Sequence, residues 1–178
     1  MPEDDRPISR SSTAELSTVF TAQSKRFFYC RDVICAYVFS EGCVPVNPFR
    51  AFEYFLHDRV NRDLVRQGNN NLIRVTDELW VFGDVIADGV FFEIIYAQRL
   101  EKPIRFYTIG TRIEDIHRIP PEALRFEPSL YRGSWRRESL IELVSGRAAL
   151  PTAQQRLFDP DAPRSGDSAE VLDLKRFA

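Results

Sequence analysis

Two apolar runs stand back to back in the middle of the chain, and they restrict its fold more than any other feature. Leu79-Trp80-Val81-Phe82 follows Asp77-Glu78 and is stopped by Gly83-Asp84. A short block of large β-forming residues bounded by polar ones predicts a buried strand. Gly89 to Glu101 comes next, an apolar stretch of helical length halted by Lys102-Pro103, and predicts a helix. Ile104–Ile109, ended by Gly110, returns to the strand pattern. Strand, helix and strand in succession demand a parallel sheet with right-handed crossovers.

The flanking sequence extends the alternation. Residues 16–22 suit a first strand, and Lys25 to Ser40 a helix closed by Gly42 in the left-handed conformation. Val44-Pro45-Val46-Asn47-Pro48 reads as a short strand, with Pro45 at its start or on an unpaired side. Residues 49–66 carry Phe52, Phe55, Leu56 and Val60 on one stripe and predict an amphipathic helix. Gly68-Asn69-Asn70-Asn71 is expected to break it, with Asn70 or Asn71 capping a short helix through Thr76. Leu124-Arg125-Phe126 is expected as a short fifth strand at the sheet edge, and Arg137–Val144 as a last helix. Residues 1–14 are expected to form a mobile arm and 15–128 the α/β domain. Residues 129–178 are expected to form an extension with a short helix and a loosely packed tail, in which Val171-Leu172-Asp173-Leu174 could dock.

Composition narrows the function classes. With 178 residues, 44% hydrophobic and a net charge of −2, the chain suits one soluble domain rather than a dedicated nucleic-acid binder. Cys30, Cys35 and Cys43 lack zinc-type spacing, and His57 and His117 have no ligand pattern around them. Neither a Walker nor a dinucleotide fingerprint is present. A cytoplasmic location with no membrane partner is the expectation. Tyr131 to Arg137 mixes aromatic and basic residues and could hold a phosphate or a nucleic-acid backbone, although a charged surface segment anchored by Trp135 is the preferred reading.

Glu93 is the one charged residue in the run Gly89–Ala97, and Gly89, Val90, Tyr96 and Ala97 share its helical face. A carboxyl without a basic partner in such company has its pKa raised, as acids and nucleophiles in active sites do. The carboxyl ends of parallel strands build ligand sites, and here they offer Gln23 and Ser24, then Asn47, then Asp84 and Asp88, then Thr108 and Thr111. Asp88 and Glu93 could act as a catalytic pair on a sugar. Alternatively Asp88 caps the helix and Glu93 favours its dipole.

Asp77-Glu-Leu-Trp-Val-Phe-Gly, Asp88-Gly with Glu93 five residues on, Ala97 and Lys102-Pro103-Ile104 together resemble the nucleoside 2-deoxyribosyltransferase-like superfamily, notably its small bacterial and phage members. The resemblance covers about residues 16–110. It implies a flavodoxin-like (Rossmann-like) three-layer sandwich with a central parallel sheet of about five strands. It also implies N-glycosidic chemistry on a nucleoside or nucleotide, with Glu93 as nucleophile and Asp88 handling sugar hydroxyls or protons. Ser24, Asn47, Asn69 and Asp84 would line the substrate pocket. No metal or organic cofactor is required, and homo-oligomers are usual for the fold. Phe20 stands where the transferases have a tyrosine, and Asn69 near where they have an aspartate. A non-catalytic nucleotide-binding module and a structural or assembly protein are the competing readings.

Overall fold

The computed structural model describes residues 15–52, 59–131 and 135–150. The N-terminal arm, the tail with its Val171–Leu174 segment, and much of the Phe52–Val60 stripe lie outside these residues. Four strands form a parallel sheet: β1 (Thr18–Gln23), β2 (Val44–Val46), β3 (Glu78–Phe82) and β5 (Ile104–Tyr107), in the order β2-β1-β3-β5. Helices flank it, and the architecture is a Rossmann- or flavodoxin-like sandwich.

Side-chain alternation along the strands sorts the core into two layers. Phe20, Leu79, Val81 and Phe106 point to one face, beneath α3 (Arg62–Val75) and α4 (Asp88–Arg99). Val19, Trp80, Phe82 and Tyr107 point to the other, where α1 (Arg31–Ser40) supplies Ile34 and Val38. A strand buried on both sides must be apolar along its buried length, as β3 is from Leu79 to Phe82. β2 is the edge strand, so the missing N–H of Pro45 breaks no ladder.

Local signals explain the chain reversals. A 3₁₀ turn, Lys25–Cys30, precedes α1, and Ser24 caps it. Gly42 takes φ +75° after α1, where its N–H bonds Phe39 O and that of Cys43 bonds Val38 O. Gly83 takes φ +112° at the end of β3 and turns the chain toward β4 (Val85–Ile86).

Four expectations are corrected. Among the described residues of the helix expected over 49–66, a four-residue turn, α2 (Pro48–Ala51), is followed by a separate α3 that starts after Asn61. Asn61 Oδ1 accepts the N–H of Asp63 and caps that helix. Gly68-Asn69-Asn70-Asn71 lies inside α3 rather than breaking it. The Phe52 ring lies over Gly68, where an added Cβ would stand 2.9 Å from Cζ, so close packing makes glycine the residue that fits. The segment at Leu124–Phe126 does not join the main sheet. Its strand, β6 (Arg125–Phe126), pairs with β4 in a separate two-stranded ribbon. The strand expected over Ile104–Ile109 ends at Tyr107, because Thr108 turns to accept and donate across to His117. The last helix, α5 (Arg137–Val144), forms as expected.

Candidate functional site

Strand order reverses between β1 and β3, and the carboxyl ends of these strands border the crevice in which open α/β sheets hold ligands. Asn47 stands at that level, just after β2, and is buried. Its Nδ2 donates to Thr21 Oγ1 at 2.7 Å and to Gln23 Oε1 at 3.0 Å, while its Oδ1 accepts from the N–H of Phe49 at 3.0 Å. Asn47 therefore ties the end of β1 to the start of α2. Gln23 in turn donates from Nε2 to Phe27 O at 2.7 Å. Ser24 is buried beside it and accepts from the N–H of Arg26 at 3.4 Å. Gln23 stands at the strand end expected to face a ligand, whereas Thr21 carries no sequence signal of its own, since only the pairing of strands brings it to Asn47.

α3 and α4 run side by side in the same direction, and their seam holds Glu93. Arg66 stacks over the Phe92 ring at 5.5 Å, and Arg74 donates to the Tyr96 hydroxyl at 3.1 Å. Between these two contacts Asn69 Nδ2 donates to Glu93 Oε1 at 2.8 Å. The residue keeps part of its surface accessible, yet protein surrounds its carboxyl. Burial pushes its pKa up to about 8, and the hydrogen bond from Asn69 opposes that rise only in part. Asn69 Oδ1 is buried and has no hydrogen-bond partner among the described residues. The seam thus holds a carboxyl near the neutral form and an acceptor with nothing to accept.

The other expected site residues do not gather around this pair. Asp88 opens α4, and its Oδ1 accepts the N–H of Gly89 at 2.6 Å. Five residues of helix place Glu93 about 7.5 Å further along the axis and about 140° around it, so the two carboxyls face different ways. A retaining glycosidase holds its pair about 5–5.5 Å apart. Asp84 accepts from Arg125 Nη2 at 2.5 Å, bridging β4 and β6 at their partly exposed ends. Asn69 and Glu93, 24 positions apart, are the one pair of expected site residues joined by a hydrogen bond among the described residues. Burial raises the pKa of all three free thiols, with Cys35 also drawn down by Arg50, so none is poised as a thiolate.

A family model described as Domain of unknown function (DUF7768) matches residues 17–107, just over half of the chain. The chain belongs to this family. The match begins at the start of β1 and ends with β5, so the family unit is the four-stranded sheet and its helices. Ser24, Asn47, Asn69, Asp84, Asp88 and Glu93 all fall within it. No curated protein matches the chain. Among the described residues, no helix is long and apolar enough to cross a membrane.

Proposed function

We propose that this chain cleaves or transfers an N-glycosidic bond of a nucleoside, nucleotide or related N-glycoside, with Glu93 as the catalytic carboxyl. The observation that carries the reading is the α3–α4 seam, where the desolvated carboxyl of a partly accessible residue has only an amide for company and a pKa of about 8. Structural stability gives no reason to keep an acid there, and a satisfied helix contact would not leave Asn69 Oδ1 unpartnered. The resemblance of the strand–loop–helix segment to the deoxyribosyltransferase-like proteins supports the same chemistry.

In the proposed reaction the ionised Glu93 attacks the anomeric carbon. The carbon–nitrogen bond breaks, and the base leaves with the bonding electrons and takes up a proton. The glycosyl ester on Glu93 then passes to water or to a second base. Free Glu93 is largely protonated at pH 7, so the rate should climb with pH toward about 8 and level off above it. A rate that falls over the same span would make Glu93 the proton donor instead. The test is a panel of ribo- and deoxyribonucleosides and their monophosphates assayed for free base. Release with the wild-type chain and its loss in Glu93→Gln supports the proposal, while undiminished release in that variant removes it.

A second reading, a nucleotide-binding module without turnover, rests on different observations. Asn47 already uses both ends of its amide and Asp84 is paired with Arg125. Phe20, wholly buried, brings no hydroxyl to orient the carboxyl. Saturable binding of the same panel with no free base would favour this module.

A further inference from the structure

A cleft of about 1040 Å³ opens where α4 ends, far along the helix from Asp88 and on the side where β5 begins. Ile104, Ile119, Pro120 and Ala149, none of them buried, contribute apolar surface to it. Arg99, Lys102, Arg105, Arg118 and Arg147 also line it, with Glu101 as the one acidic lining residue. Some of this charge is already used. Arg105 pairs with Glu78 at 3.0 Å, Arg147 with Glu122 at 2.7 Å, and Lys102 Nζ donates to Thr76 O. The exposed Arg118 side chain has no acidic partner among the described residues. An apolar floor under a basic rim is costly to leave in water, and it fits an acidic segment with aliphatic side chains.

The chain carries such a segment. Asp167-Ser168-Ala169-Glu170-Val171-Leu172-Asp173-Leu174 has three acids, three aliphatic residues larger than alanine and no base. Leu150, where the described part of the chain ends, is itself a wall of the cleft. Residues 151–166 lie between the two, and 16 residues span at most about 55 Å, ample to return to the cleft from Leu150. We propose that segment 167–174 seats in this cleft, with Val171, Leu172 and Leu174 on the apolar floor and its acids on the arginine rim. Tethering raises the local concentration of the segment, so a modest contact suffices to hold it. The proposal is independent of the Glu93 chemistry.

Hydrogen exchange measured by mass spectrometry on the full chain tests this. Amides of 167–174 should exchange at least about tenfold more slowly than in the double variant Leu172→Asp/Leu174→Asp. In that variant residues 143–150 should also lose protection, while β3 should not. Arg118→Glu should weaken protection of 167–174, and adding Asp173→Arg should restore part of it. Unprotected 167–174 amides in the wild-type chain overturn the proposal. So does protection that ignores Arg118→Glu and the leucine variants alike. Protection that grows with protein concentration assigns the cleft to the tail of a second copy and overturns the intrachain seat.

Discussion

On the α1 side of the sheet, Tyr37, Trp80, Phe82 and Tyr107 form a closed aromatic cluster. The Tyr107 ring lies 5.1 to 5.4 Å from each of the other three. The polar edge of Trp80 is spent as well, its Nε1 donating to Glu78 at 2.7 Å, and Arg105 stacks 5.1 Å from its ring. On the α3–α4 side the same sheet lies under a seam with a desolvated carboxyl and an unpartnered amide oxygen. The α1 layer is arranged for cohesion, with the polar edge of Trp80 matched. The α3–α4 layer tolerates an energetic cost that packing alone would remove, and a tolerated cost is where function is to be sought.

The sharpest way to break this contrast is to empty the aromatic layer. Trp80→Ala should cost about 3–5 kcal/mol in chemical denaturation, and a cost below about 1 kcal/mol would show that this layer does not carry the stability. Glu93→Gln should do the opposite. The folded pKa of Glu93 lies above its unfolded value near 4.5, so the folded state holds the extra proton between about pH 4.5 and 8. Stability therefore falls as pH rises through that window, and the full penalty is present above about 8. Glu93→Gln should be more stable than wild type at pH 9, by a few kcal/mol at most, and nearly equal to it at pH 4. A stability difference flat from pH 4 to 9 would mean that the carboxyl is not desolvated.

Asn69→Ala sharpens the comparison further. It removes the one hydrogen bond that draws the Glu93 pKa down, so the loss of stability with rising pH should continue to a higher pH and become larger. The cost at pH 9 should be about 1 kcal/mol more than at pH 5, where the carboxyl is neutral. Smallest of all is the Asp84–Arg125 pair. Both side chains are substantially exposed, and a double-mutant cycle should return a coupling under about 0.5 kcal/mol. A coupling above about 2 kcal/mol would make the β4–β6 ribbon a structural clamp rather than a surface contact.

The sheet and α4 were legible because strands buried on both faces must be apolar throughout and because Lys102-Pro103 ends the helix clearly. Glu93 was legible as a lone charge in an apolar run. Its partner was harder to find. A Gly-Asn-Asn-Asn string has the composition of a break, yet the Phe52 ring and Glu93 hold it inside a helix, and both contacts come from distant sequence. The signal for the true helix start, Asn61 followed by Asp63, was present but masked by the longer apolar stripe before it. The partner of β6 was illegible because two residues of strand can pair with any open edge. Asn47 was flagged as a site residue for its position at a strand end, but its Thr21 and Gln23 contacts depend on strand register, which composition does not encode.

The seam between α4 and α5 has a practical consequence. Gln98 Nε2 donates to both Leu143 O and Val144 O, and Trp135 lies 5.4 Å from the Phe91 ring. Leu140, Ile141 and Val144 pack into the same layer as Ile94 and Ile95. A chain cut just after Tyr107, at the family boundary, would carry the whole sheet yet leave this greasy flank bare. Such a fragment should clump and sediment, so the minimal soluble unit of this protein must run at least through α5.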